Sequence, residues 1–440
     1  MNKEEKEKGI PKAEPHLEIY NDRSSLIHGK DSEETFYEGK PSGETLKRID
    51  KIRSQLKEGF LHNLIEKCKE SYEPTKLSEE HVDLVGNLVS SVTSEYGRAV
   101  VGLTILQLCI KAIEPSQNIR LHKAGRGDFS WIEGVPMRSL DAEIIAPVLR
   151  STNLLKYNKF GVMMTRSLAE NYPYTKFYKA AIRGPKETWL ELVDILEKKK
   201  IDPVEALKET IYLLINRSEE FKQLVADTTS LMGKLLNRGL AKKEIIKLVE
   251  AHVYNSGHPA RLFEIAMHSL FQVLANQDAL GGCLRPLSQM RSANKKFGNV
   301  GDIEVLASSQ AGSDIIEAWD AKYGKSYLFD ELGELEDKLP NHKNLRRVGF
   351  VTDSKVQTSE EIEQRKAEIA EMFGLSVDIL TFDDWVEEQF TRSKANPDQT
   401  ARDWFVAYVE TICLKRLDLA PIDEPAESWV RGMKKILEKL

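Results

Sequence analysis

Cysteine is scarce in this 440-residue chain, and the 4 present (Cys68, Cys109, Cys283 and Cys413) stand far apart. That spacing excludes a local disulfide framework and offers no zinc-ligand pair, so the thiols read as reduced, as in a cytoplasmic protein. No apolar run reaches the length a membrane-spanning helix needs. The first residues, MNKEEKEKGIPKAEPHLE, are charged throughout and hold no apolar stretch, so no secretory signal is expected there. Excess positive charge is also missing: a net charge of −6 argues against a general polyanion binder. There is no G-x-x-x-x-G-K-[ST] loop and no ordered nucleophile, the features by which an unrelated α/β enzyme would be known.

The 41% hydrophobic content supports proper cores, and the length allows two or three domains. Residues 1–43 mix charge with Pro, Ser and Gly and read as a flexible arm. Residues 44–255 carry apolar side chains at helical spacing almost throughout. Within them Ala99–Ile113 is apolar nearly all round, as expected of a helix buried at a domain centre, and Pro115 ends it. Strand patterns enter after residue 256. A helix opening at His258-Pro259 is followed by two strands, then by helix, strand, helix and strand up to about residue 385. Residues 386–440 read as closing helices, with Trp404, Phe405 and Tyr408 as core.

Local charge departs from the total. From Ser116 to Pro185 there are 11 Lys/Arg against 5 Asp/Glu. Arg120, Lys123 and Arg126 lie in QNIRLHKAGRGDFSW, among glycines that let backbone approach a ligand. Arginine pairs bidentately with phosphate or guanine edges. An ordinary basic surface loop accounts for the stretch equally well. A second cluster holds Arg166, Lys176, Lys179 and Arg183 among tyrosines and threonines of the kind that grip a phosphate backbone, while Phe177 and Trp189 are assigned to packing. Residues 276–299 form a polar connection made basic by Arg285, Arg291, Lys295 and Lys296, placed to follow a DNA strand, or else a plain surface loop.

The most informative stretch is VGDIEVLASSQAGSDIIEAWDAKYGK, residues 300–325. Ile303–Leu306 and Ile315–Ala321 read as strands, and Ser308, Ser309, Gly312 and Ser313 favour a reversal between them. Side chains alternate along a strand, so Asp320 and Lys322 share a face, and pairing of the strands lets Asp302 converge on them. Crowded carboxylates repel, and a divalent cation removes that penalty. Acid-x-Lys triplets are common by themselves; the one at Asp353–Lys355, ending the strand pattern RRVGFVTD, is the serious competitor but lacks a preceding acidic strand.

Asp302 followed by Asp320-Ala321-Lys322 resembles the PD-(D/E)xK nuclease motif, with Val300-Gly301 where a proline usually precedes the first acid. Within that superfamily the chain looks most like a type II restriction endonuclease. The resemblance implies an α/β (α+β) restriction-endonuclease-like core over 256–385, preceded by a largely helical recognition domain. It implies Mg2+ held by Asp302, Asp320 and the Ala321 carbonyl. Lys322 would then orient or help deprotonate the attacking water and steady the phosphorane, and Glu264, on the preceding helix, would assist through the metal shell. It further implies site-specific cleavage of double-stranded DNA, a homodimer for paired cuts, and a cognate DNA methyltransferase. Three alternatives stay open. They are a nuclease of the same fold in DNA repair, phage defence or RNA cleavage, a non-catalytic nucleic-acid-binding protein with a structural Asp–Lys pair, and an unrelated cytosolic enzyme.

Overall fold

Serine and asparagine at the starts of apolar stripes do in the structure what their chemistry favours. Ser42, Ser359 and Asn396 each accept a backbone N–H of the first helical turn that follows, satisfying a donor with no partner inside the helix. The structure is a computed structural model. It describes the chain apart from residues 1–13, 30–31, 72, 93–96, 123–130, 156–157, 288–298, 325–327, 355–358 and 416–424. The chain divides into two units, Met1–Glu220 and Phe221–Leu440.

The first unit opens with three antiparallel strands, β1 (His16–Ile19), β2 (Arg23–Gly29) and β3 (Ser32–Tyr37), in the order β1-β2-β3. The expected flexible arm over residues 1–43 is therefore corrected for residues 16–37. Leu26 and Phe36 are buried against Leu121 and Trp131, and the Ile132 N–H donates to the Tyr37 carbonyl at 3.0 Å, which fixes the small sheet to the unit. Helices α1 (Gly43–Lys57), α2 (Phe60–Glu70), α3 (Glu79–Ser90) and α4 (Arg98–Ile113) follow. As its all-round apolar sequence requires, α4 is the central helix, with Val101, Leu103, Ile105, Leu106 and Leu108 fully buried. Then come α5 (Met137–Leu140), a π-helical turn at Asp141–Ile145 and α6 (Ala146–Ser151), so Pro147 falls in the first turn of α6 and does not break the helix. Helix α7 (Lys186–Glu197) packs on α4, and the division between units falls inside the 35-residue α8 (Pro203–Asn237).

The second unit begins within α8, earlier than the boundary at 256 expected from sequence, because Leu224, Val225, Met232 and Leu235 share its core. Helices α9 (Lys242–Tyr254) and α10 (Pro259–Asn276) lead into a five-stranded sheet of β4 (Cys283–Leu284), β5 (Ile303–Leu306), β6 (Ile315–Lys322), β7 (Arg347–Thr352) and β8 (Ser376–Thr381). The order is β4-β5-β6-β7-β8; β4, β5 and β6 pair antiparallel, while β6, β7 and β8 pair parallel. Parallel neighbours need crossovers, and α11 (Leu328–Lys338) and α12 (Glu360–Phe373) provide them. Helices α13 (Phe382–Arg392), α14 (Pro397–Glu410) and α15 (Ala426–Leu437) complete the unit. The closing helices are not a separate body, since Trp404, Tyr408 and Trp429 share one core with α10, Ile303 and Trp319. The fold is thus mixed α/β around a mixed sheet. Among the described residues no helix is long and apolar enough to cross a membrane.

Candidate active site and nucleic-acid interface

Strand pairing brings the expected acids together. In the β5–β6 register Ile303 faces Trp319 and Glu304 faces Ala318, so Asp302, one residue before β5, comes opposite Asp320. Gly301 makes the approach feasible: a Cβ there would stand 2.7 Å from the Trp319 carbonyl oxygen and 2.9 Å from its carbon. Trp319 cannot yield, because its fully buried ring lies 4.8 Å from the Arg347 guanidinium and its indole N–H donates to Glu317 at 2.7 Å. The turn before Asp302 is held separately. The fully buried Glu304 carboxylate accepts the Val300 N–H at 2.6 Å and that of Gly301 at 3.3 Å, and it pairs with Arg285. Burial pushes the Glu304 carboxyl up, and Arg285 and these two N–H groups work against that rise.

Around this frame stand Asp302, Asp320, Lys322, Glu264 and Glu331. The Ala321 N–H donates to Asp302 Oδ2 at 3.0 Å. A residue's N–H and C=O face the same neighbour in an extended strand, so the Ala321 carbonyl faces the Asp302 side. Asp302 also shares a hydrogen bond with Asp320, and Glu264 lies near enough to act on its charge. Burial first, then the charges of Asp320 and Glu264, hold the Asp302 carboxyl well above the usual carboxylate range. Lys322 Nζ is 2.9 Å from Asp320 Oδ2, also pairs with Glu331 on α11, and lies 5.7 Å from the Phe350 ring centroid. Burial alone would favour the neutral amine; the two carboxylates outweigh it and keep Lys322 an ammonium, its pKa above the ordinary lysine value. Glu264 is buried and paired with Arg261 on its own helix. His268, a turn further on, makes a 3.0 Å contact from Nε2 to the Arg285 carbonyl.

Among the described residues, four carboxyl groups (Asp302, Asp320, Glu264 and Glu331) meet the cations Lys322 and Arg261 in this cluster, and the crowding keeps a proton on the Asp302 carboxyl. The residues therefore suit a hard divalent cation, which would relieve the Asp302–Asp320 repulsion now relieved by a shared proton. Among the described residues no three His, Cys, Asp or Glu side chains are gathered as a ready set of metal ligands. The competing Asp353 directly follows β7 and accepts the Gly324 N–H at 2.9 Å; Lys355 lies outside the described residues. Sequence reasoning missed Glu331, although its place three residues into a helix that follows the lysine strand was readable.

The basic residues of the first unit divide sharply. Arg120 is not a surface contact: it is 1% exposed, donates to Asp194 at 2.7 Å and to the Tyr174 carbonyl at 3.2 Å, and lies 3.6 Å from Glu34. Burial opposes ionisation of Asp194, but Lys198 and Arg120 overcome it and hold its carboxyl below the ordinary value. An arginine this enclosed is committed to its carboxylates and cannot turn to a ligand. Lys123, Arg126 and Arg291 lie outside the described residues. Arg285, expected in a strand-following loop, is instead tied to Glu304.

Arg166, Lys176, Lys179 and Arg183 are all exposed. Two buried phenols bring their segments together: Tyr178 donates to the Ser167 carbonyl at 2.8 Å and Tyr174 to that of Leu168 at 2.5 Å. Both rings pack on the buried Trp189, at 6.2 Å and 5.0 Å between centroids. The same region is anchored below by Asp141 of the π-helical turn, which accepts the Met163 N–H at 3.0 Å and leaves no room for a Cβ at Gly161, whose φ is +82°. Phe160 and Met164 nearby in the chain are 60% and 55% exposed. Comparison with known protein families and with curated proteins finds no match for the chain.

Proposed function

We propose that the chain is a Mg2+-dependent endonuclease that hydrolyses phosphodiester bonds of double-stranded DNA, with a restriction-endonuclease-like core and the PD-(D/E)xK arrangement of its acids and lysine. A type II, site-specific enzyme is the narrower reading. The observation that carries it is the meeting of Asp302 and Asp320 across β5 and β6 with the Lys322 ammonium 2.9 Å from Asp320. The order of strands and crossover helices around β6 is further support.

Asp302, Asp320 and the Ala321 carbonyl would hold the cation, with Glu264 in reserve beside them. When bound, such a cation supplies Lewis acidity and makes a bound water easier to deprotonate than bulk water. Lys322, kept cationic by two acids, is suited to steadying negative charge on the phosphorane more than to removing a proton from water. The exposed cations around Arg166 and Lys179 would hold the phosphate backbone of a duplex. Paired cuts would need two such sites, hence a homodimer, and a restriction role would need a partner methyltransferase.

The test is digestion of a long defined DNA with Mg2+ by the wild type and by Asp302→Asn, Asp320→Asn and Lys322→Met, with sequencing of product ends. Discrete fragments lost in all three variants support the reading, and ends sharing one sequence support the site-specific form. A smear points to repair or defence, and cleavage of RNA alone to another substrate. An uncut DNA with unchanged Mg2+ binding in Asp320→Asn leaves a structural Asp–Lys pair.

A further inference from the structure

We propose that Glu331 is a positioning residue that keeps the Lys322 ammonium beside Asp320 while the aspartates direct their charge to a cation. The inference rests on the nuclease reading of the Asp302–Asp320 pair.

The need for such a residue follows from Asp320, which has two roles. It is a ligand in the proposed site, and it also holds Lys322 at 2.9 Å. An ammonium tied to Asp320 alone would compete with the cation for that carboxylate, and would lose its orientation when the cation won. Lys322 has a second tether from a separate element: Glu331, in the first turn of α11, pairs with the same Nζ. An ammonium has three donors, so both carboxylates can be served at once. The Lys322 ammonium lies over the Phe350 ring, its side chain is 10% exposed, and the Glu331 side chain is 17% exposed.

The ordinary task for an acid here is to complement the positive end of the α11 dipole. Asp330, in the same turn, is exposed and suited to that task, whereas Glu331 is turned inward to the lysine. A helix-dipole acid would affect stability and leave turnover alone. A positioning acid would affect turnover through Lys322 only.

The experiment compares full-length wild type, Glu331→Gln, Glu331→Asp, Lys322→Met and the Glu331→Gln/Lys322→Met double variant, measuring kcat and KM for plasmid cleavage at saturating Mg2+. Glu331→Gln is expected to lower kcat about 10-fold, part of the roughly 100-fold that a full misplacement can cost, with KM for DNA within about twofold. Glu331→Asp restores part of the loss, and Glu331→Gln adds nothing once Lys322 is Met. Turnover within about twofold of wild type in a folded Glu331→Gln, or a loss undiminished without Lys322, overturns the proposal. A second readout needs no cleavage: Lys322 labelling by an amine-reactive reagent in Mg2+, followed by mass spectrometry, should be about fivefold faster in Glu331→Gln; if Gln does not fold, Glu331→Asp, whose shorter arm holds the amine less well, should label about twofold faster than wild type. Unchanged labelling overturns the proposal by itself. Faster labelling in an enzyme that cuts no DNA leaves Glu331 as the tether and removes the nuclease reading.

Discussion

Gly301 lies so close to Trp319 that its α-carbon has room for hydrogen only; an added Cβ would meet backbone at 2.7 Å. This approach sets the distance at which Asp302 meets β6. Gly301→Ala must push the start of β5 away, at a cost of about 1–3 kcal/mol by the usual scale of overpacking. Thermal unfolding should show that loss, and any Mg2+-dependent cleavage should fall well beyond what the stability change explains. An alanine variant with full activity would separate the aspartate pair from the chemistry.

The basic residues of the first unit are expected to fall into two groups. Replacing Arg166, Lys176, Lys179 and Arg183 by Gln should leave folding intact and, if the proposed DNA binding holds, reduce its salt dependence by roughly one counterion for each phosphate no longer neutralised. Arg120→Met should do the reverse. It leaves the Asp194 carboxylate with Lys198 but without its enclosed partner, destabilising the unit by on the order of 3 kcal/mol. Fluorescence anisotropy across a salt series, beside a melting curve, distinguishes the two.

His252 sets an acid limit on stability. Its ring is fully buried between the Tyr408 hydroxyl at 2.7 Å and the Trp429 carbonyl at 2.8 Å, and burial lowers its pKa from 6.5 to about 4. The unfolded chain then binds the extra proton first. Stability is complete above 6.5 and is lost as pH falls through the window down to about 4, by roughly 3 kcal/mol. Melting temperatures between pH 7 and 4.5 should decline less steeply in His252→Asn.

Glu250 acts in the opposite direction. Burial and a hydrogen bond to Asp383 raise its carboxyl from 4.5 to about 7. Here the folded state holds the extra proton, so the contribution is present below 4.5 and is lost as pH rises through about 7. Glu250→Gln keeps a donor toward Asp383 without a proton to lose. Its melting temperature should be flatter from pH 5 to 8 than that of wild type, and identical slopes would contradict the shared-proton account.

What could be read from the sequence depended on how much of each feature is local. The strands at 303–306 and 315–322 follow from alternation and a small-residue turn, and the Asp302–Asp320 juxtaposition follows from pairing them. The sheet at residues 16–37 was missed because β2 buries Ser24 and Ser25 beside Leu26 and Ile27, a strand whose inward residues are half polar. Arg120 was misplaced because its partners Asp194 and Glu34 are distant in sequence, and a basic, glycine-bearing stretch looks alike on a surface or at a packing seam. The unit boundary was set late because α8 runs through the division without a Gly or Pro break there.

The acids stand at the mouth of the β5–β6 hairpin, where its strands part, while the tip formed by residues 307–314 closes the far end. Gln310, Ala311 and Gly312 are exposed there, and the tip is stitched by the Ser308 N–H donating to Ser313 Oγ at 2.9 Å. Lengthening the tip therefore adds chain beyond the stitch and leaves the aligned strands untouched. A short tag or dye-bearing insert between Ala311 and Gly312 should ride on the protein as a reporter without disturbing the paired strands.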